Sequence, residues 1–204
     1  MKLYHRVGTP SSSRVKIFLR LKGISVDEID VDIRGRENLT DTFLLKSITG
    51  LTPVLELDNG DNISETISIC RYIEAISPDD DSLFGTNPLE QAKIDMWQRI
   101  IELHGLHMAF DAFRNINQVC GDRENCIEEW GYEARDRLIH FLPKIELQLS
   151  HHPYIAGDTF SVADITAFVL VDFLPYVDVF IDEAYPNMLT WHSTLTEIPA
   201  FQTA

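Results

Sequence analysis

The sequence predicts a two-part chain. An α/β half with element order β-α-β-α-β-β-α spans residues 1–77, a linker spans 78–88, and an all-helical half spans 89–204. Three observations carry this. Up to about Ile76, short strand-like runs alternate with helical ones. The stretch SPDDDSLFGTNP at 77–88, with proline near each end and an acidic run, suits an exposed connection between two cores. Beyond it only helical periodicities remain.

The elements follow in order. Lys2 to His5 reads as a strand. Ser12 to Lys22 reads as a helix with Val15, Phe18, Leu19 and Leu21 on one face, stopped by Gly23. On this reading Ser11 or Ser12 caps the helix, and Arg14 and Lys16 lie on its solvated side. Val26 to Ile33 is the next strand, and Leu39 to Ser47 a weak helix. Pro53 to Leu57 is a strand, turned by Asp58-Asn59-Gly60-Asp61, because Asn-Gly accepts the positive φ of a hairpin turn. Ser64 to Ile76 closes the half as a helix with Ile67, Cys70 and Ile73 inward. A β-α-β start implies a right-handed parallel crossover, and the hairpin adds an antiparallel pair. After the linker, Asn87-Pro88-Leu89-Glu90 starts a helix cleanly, with Asn87 as cap and Pro88 in the first turn. Helical patterns run through about Val119, then over Ile127–Leu149 and Ser161–Val177, with one or two short helices after Tyr185.

Charge narrows the function. Seventeen Lys and Arg against 32 Asp and Glu give a net charge of −15. Such a surface excludes nucleic acid and anionic membranes as partners, since both need clustered cations. A small anionic ligand needs local donors that overcome this field. Three cysteines without a CxxC pair fit neither a disulfide framework nor a zinc ribbon. The apolar stretch near 165–181 is interrupted by Asp172, Pro175 and Asp178, so it does not span a bilayer. The expected setting is soluble and cytoplasmic.

Three constellations can carry chemistry. In VGTPSSSR, residues 7–14, four hydroxyls crowd between the first strand and first helix. In LTPVLELDNG, a cis Thr52–Pro53 bond would turn the Thr52 backbone outward, where an extended peptide can pair with it. In NISETISICRYI, Glu65 and Thr66 stand at a helix start. The free amides and dipole there suit a carboxylate, and the Glu65 side chain suits an ammonium on the same carbon. Taken singly, each hydroxyl and acid is equally a helix cap. His104 and His107 have one-turn spacing but no accompanying carboxylate or cysteine pattern, so no metal is expected.

Together these segments resemble the cytosolic glutathione transferase superfamily, over essentially the whole chain. KLYHRVGTPSSSRVKIFLRLKGI resembles its opening strand, active-site loop and first helix. LTPVLELDNG resembles its cis-proline strand and turn. ETISICRYI resembles its glutathione-binding Glu-Ser helix, with Thr66 for serine. AGDTFSVADITAF resembles its capping-box segment, and PNMLTWHSTLTEIPAF its closing tryptophan helix. The resemblance implies an N-terminal thioredoxin-like domain, a C-terminal helical bundle, and glutathione as co-substrate attacking a small apolar electrophile. Thr52, beside Pro53, would offer its backbone to the cysteinyl unit, and Glu65 and Thr66 would hold the γ-glutamyl end. One of Thr9, Ser11 or Ser12 would meet the sulfur, as in serine-type members, with Thr9 at the usual serine position; Tyr4 is a further candidate. Leu51 stands where many members place Gln or Lys, so Lys46, Arg34 or Arg36 would supply the cation at the glycyl end. His104, His107, Met108 and Phe110 would line a second-substrate pocket between the opening loop and the first bundle helix. A homodimer would form across a face containing Asp95, Gln98 and Arg99. Thr9, Leu51 and Ser47-Ile48-Thr49-Gly50, where many members have Asn-Pro, favour the alternative of a binding protein with little or no catalysis.

Overall fold

A computed structural model describes residues 1–77 and 81–202. The first three residues of the expected linker therefore lie outside the described residues. The chain divides into two compact units, Met1–Ser82 with Pro199–Ala204, and Leu83–Ile198. The closing segment joins the first unit partly through Arg20, whose guanidinium donates to the Ala200 carbonyl at 3.1 Å.

The first unit runs β1 (Lys2–His5), α1 (Pro10–Leu21), β2 (Asp27–Asp30), a 3-10 turn (Glu37–Leu39), α2 (Asp41–Leu44), β3 (Val54–Glu56), β4 (Asn62–Ser64) and α3 (Thr66–Ile76). The sheet order is β2-β1-β3-β4. β1 is parallel to β2 and antiparallel to β3, which is antiparallel to β4. Strand alternation sorts the core. Leu3 and Leu55, opposite each other, are fully buried. Tyr4 and Val54, the next pair, turn to the other face and pack with Val31 and Phe43. Gly60, at φ 90°, forms the hairpin turn, as Asn-Gly predicted.

Several boundaries differ from the sequence reading. α1 starts at Pro10, whose missing N–H costs nothing at a helix start; Thr9 is the N-cap residue, and no side chain caps it. The expected Ser11 or Ser12 cap is thus absent. Arg14 is buried rather than solvated, and Lys16 reaches Glu28 at 2.9 Å. β2 is shorter than Val26–Ile33 because the Ile33 amide turns back to the Val31 carbonyl at 2.9 Å. α3 starts two residues late, since Ser64 pairs with Val54 in the sheet.

The second unit comprises α4 (Pro88–Ile101), a π-helical turn (Glu102–Leu106), α5 (His107–Ile116), α6 (Glu128–His151), α7 (Val162–Phe173) running into a 3-10 turn (Leu174–Val177), and α8 (Pro186–Thr196). The long helix expected through Val119 is therefore interrupted. The π turn brings Gly105 against α7 and α6: a Cβ there would lie 2.5 Å from Leu170 Cδ2 and 3.3 Å from Phe141 Cε1. α7 is predominantly apolar, and all but one of its residues are buried, which marks it as the central helix of this unit. Gln98, expected on a partner-facing surface, is instead inside this unit and accepts from the Thr166 hydroxyl at 2.7 Å.

The capping box at α7 forms as the sequence predicts. Asp164 accepts from the amides of Ile155 and Ser161, both at 2.9 Å, from the Ser161 hydroxyl at 3.1 Å, and from Trp191 Nε1 at 3.1 Å. Burial pushes its carboxyl up to about 6, and the four donors limit the rise. Asp164→Ala leaves four buried donors without an acceptor and is expected to lower unfolding stability by about 4 kcal/mol in urea titration. Because the folded state holds this proton more tightly than the unfolded chain, the group's contribution is full below pH 4. It declines as pH rises through 6. The difference in stability between wild type and Asp164→Asn, followed from pH 4 to 7, is expected to shift by that sign.

Candidate functional site

The opening loop is built on Asp30. Its carboxylate accepts from Arg6 Nη1 at 2.7 Å and from the Val7 amide at 3.1 Å. Gly8, at φ 76°, then reverses the chain into α1. Thr9 Oγ1 lies 2.8 Å from both the Arg6 carbonyl oxygen and Ser12 Oγ. A carbonyl has no hydrogen to give, so the Thr9 hydrogen serves Arg6, leaving the Ser12 hydrogen for the hydroxyl–hydroxyl contact. Ser12 also accepts from the Arg6 amide at 3.2 Å and is buried. It supports the loop from below. Ser11 is half-buried, and its hydroxyl has no hydrogen-bond partner among the described residues. Its amide is one of the first-turn donors without an acceptor inside the helix.

Thr52 comes at the end of a tethered loop. The fully buried Ser47 hydroxyl accepts from the Leu51 amide at 3.1 Å and donates to the Leu51 carbonyl at 2.9 Å. Asn38 Nδ2 donates to the Gly50 carbonyl at 2.7 Å. The Thr52–Pro53 bond is cis. Thr52 is half-buried and makes no hydrogen bond among the described residues, so its main-chain donor and acceptor are open to a peptide. The pairing of Val54 with Ser64 sets Glu65 and Thr66 alongside this open edge.

Glu65 has φ 69° and ψ 123°, outside the regions that L-residues favour. The exposed acid is held in this conformation between β4 and the helix. Its carbonyl takes the first helical bond, from Ile69 at 3.0 Å, so the amides of residues 66–68 have no acceptor within α3. Thr66 is buried beneath them. Carboxylate, free amides and hydroxyl thus stand together, complementary to an α-ammonium and α-carboxylate.

Lys46 is not brought to this group. It is ion-paired with Glu56, with its ammonium 4.8 Å from the Tyr4 ring centre. Glu56 also accepts from the Tyr4 hydroxyl at 3.1 Å and from Lys2 at 3.3 Å. The Lys46 contact is the main cause that holds the Glu56 carboxyl down at about 2. Glu56 is four residues along the strand from Thr52, about 13 Å at strand rise. Tyr4 and Lys46 therefore serve the opposite end of the sheet.

In the second unit the π turn leaves His104 and His107 exposed. The His104 ring lies 5.9 Å from Phe141 and the His107 ring 6.3 Å from Phe110. Phe110 packs edge-on to Phe173 at 5.4 Å, and Met108 is half-buried. Sequence reasoning missed Tyr176, which stacks on Phe173 at 5.3 Å and meets Phe113 edge-on at 6.2 Å. Its only signal was its place three residues after Phe173, the aromatic end of α7. A separate cleft of about 390 Å³ opens between α4 and α6, lined by Lys93, Trp97 and His152 and by none of the expected site residues. Among the described residues no group of His, Cys, Asp or Glu converges to hold a metal. The cysteines are free, and burial pushes the Cys70 thiol up to about 12, far from a nucleophile's range.

Comparison with known proteins bears on this arrangement. Glutathione S-transferase 2 of Saccharomyces cerevisiae is 31% identical over 204 residues, covering 98% of this chain and 87% of the relative. The chain belongs to the glutathione S-transferase family. The family's N-terminal domain matches residues 3–81 and its C-terminal domain residues 131–199. Among solved structures, a Gtt2-class glutathione S-transferase of Vibrio parahaemolyticus is 42% identical with a TM-score of 0.89, covering 100% of this chain and 96% of that one. Gtt2 of Saccharomyces cerevisiae has a TM-score of 0.93 at 30% identity, covering 99% of each chain. The mixed sheet and helical bundle are this transferase fold.

The strained acid gives a direct test. Glu65→Gly relieves the positive φ and is expected to hold or raise stability by about 1 kcal/mol in chemical denaturation. The same variant is expected to weaken glutathione binding about tenfold or more in calorimetry, because an ammonium partner is lost.

Proposed function

We propose that this chain is a glutathione transferase that binds glutathione on its first unit and favours the thiolate for attack on a small apolar electrophile. The observation that carries the reading is the open Thr52 main chain beside Glu65 and Thr66. An extended γ-glutamylcysteinyl peptide matches it group for group. The cysteinyl amide pairs with Thr52, the α-ammonium meets Glu65, and the α-carboxylate meets the Thr66 hydroxyl and the first amides of α3. The transferase names of its relatives support the same assignment.

A free thiol has pKa about 8.5, so at neutral pH most of it is protonated. Donors aimed at the sulfur favour the thiolate, which is the nucleophile. Among the three hydroxyls, Ser11 is the one with an uncommitted hydrogen. Thr9 must release the Arg6 carbonyl to donate, and Ser12 is buried behind it. We therefore assign Ser11 as the sulfur's donor, Thr9 as the residue that fixes the loop, and Ser12 as their support. The aromatic group of Phe110, Phe113, Phe173 and Tyr176, with His104, His107 and Met108 on the same stretch, suits an apolar electrophile. Free cysteines support a reducing compartment such as the cytoplasm. Exposed Leu89 and Met96 beside Asp95 and Arg99 on α4 support a homodimer.

Calorimetry is expected to show glutathione binding. Absence of heat, with no rise in melting temperature at millimolar glutathione, would refute the reading. In an ultraviolet titration of the bound thiol, Ser11→Ala is expected to raise its pKa by about one unit, while Thr9→Val and Tyr4→Phe leave it nearly unchanged. A shift with Thr9→Val alone would transfer the role to Thr9. Phe110→Ala is expected to raise KM for apolar electrophiles several-fold, leaving glutathione affinity unaltered.

A further inference from the structure

The end of the peptide beyond the cysteine meets a surface of unusual character. Glu65 and Thr66 lie on the β4 side of Thr52. A peptide that pairs with Thr52 and places its γ-glutamyl end there must send its other end away from β4. That direction leads to the chain arriving from β2 at the far side of the sheet, residues 37–51. This stretch, ENLTDTFLLKSITGL, exposes five large apolar side chains. Leu45 is 86% exposed, Ile48 90% and Leu51 50%, with Leu39 and Leu44 near 40%. Leu51 is the residue before Thr52, and Ser47 fixes both its amide and its carbonyl. Its main chain is thereby held next to the open edge, and its side chain is half exposed.

Charge on the stretch points the same way. Lys46 is its one cation, and the ammonium is held by Glu56 at the other end of β3. Glu37 and Asp41 make residues 37–51 net negative within a chain of net charge −15, and exposed Arg34 and Arg36 lie directly before them. In the opening loop Arg6 is paired with Asp30 at 2.7 Å. A terminal carboxylate placed here meets leucines and a negative field. A neutral, apolar terminus meets surface that prefers to be covered.

We infer that this site reads the residue after the cysteine by apolar contact and not by charge, so that its thiol co-substrates extend to γ-glutamylcysteinyl peptides with a neutral or apolar C-terminus. The inference rests on the glutathione reading above. It makes the terminal carboxylate dispensable and Leu51 the residue that sets this preference.

The test compares glutathione with its glycyl monoethyl ester by calorimetry on wild type, Leu51→Lys and Arg34→Ala. Leu51 is half exposed, so its replacement leaves the core intact. Wild type is expected to bind the ester within about threefold of glutathione or tighter, whereas a site reading the carboxylate by charge would lose about tenfold or more. Leu51→Lys is expected to bind glutathione about five- to tenfold tighter and the ester no better, creating a preference that wild type lacks. A wild-type loss of tenfold with the ester would overturn the inference, and disappearance of that loss in Arg34→Ala would name Arg34 as the cation responsible. Binding of neither compound would instead overturn the glutathione reading, and this inference with it.

Discussion

The Ser47 hydroxyl, buried and bonded to both the amide and the carbonyl of Leu51, is the interaction on which the first unit's site depends. Fixing one residue's backbone costs about 1–2 kcal/mol, and two hydrogen bonds return about 1–3 kcal/mol, so this tether alone can hold Leu51 in one conformation. With Leu51 fixed and Asn38 holding Gly50, Thr52 is delivered with its main chain unpaired. The sheet does the rest. Pairing of Val54 with Ser64 brings the strained Glu65 and the start of α3 to the same edge. The open Thr52 edge is thus set from elsewhere, by a buried serine five residues before it.

The opening loop divides labour similarly. Four neighbouring hydroxyls look equivalent in one dimension. In the fold the three candidates among them occupy different hydrogen-bonding situations: Thr9 closes onto Arg6, Ser12 is buried and bonded to the Arg6 amide and to Thr9, and the half-buried Ser11 hydroxyl has no partner among the described residues. Asp30, on the neighbouring strand, keeps this loop in register through Arg6 and Val7. The parallel pairing of β1 and β2 is therefore also a support for the opening loop.

Much of the fold was legible. The Asn-Gly turn, the Thr-Pro strand start and the Ser161–Asp164 capping box are local devices, written in adjacent residues, and each appears as read. The places of Thr52, Glu65 and Thr66, at a strand start and a helix start, were legible for the same reason. What escaped depends on distant partners. Arg14 and Gln98 looked like surface residues because periodicity says nothing about buried polar groups; the Gln98 oxygen is paired by Thr166, 68 positions away. Lys46 looked available for a carboxylate until Glu56 and Tyr4, from two other strands, claimed it. The π turn was hidden because one extra residue per turn is a response to the close approach of Gly105 and Leu170, which no single segment encodes. Tyr176 joined the aromatic group only when the chain turned after α7.

The central claim is that glutathione is held by a main chain that Ser47 positions. Ser47→Ala removes that tether without altering any residue facing the ligand. The account expects the glutathione dissociation constant from calorimetry to rise about tenfold or more, equivalent to 1.4 kcal/mol, in a protein that still unfolds cooperatively. A dissociation constant unchanged within about twofold in the folded variant would contradict it, because the Thr52 edge would then hold its shape without Ser47.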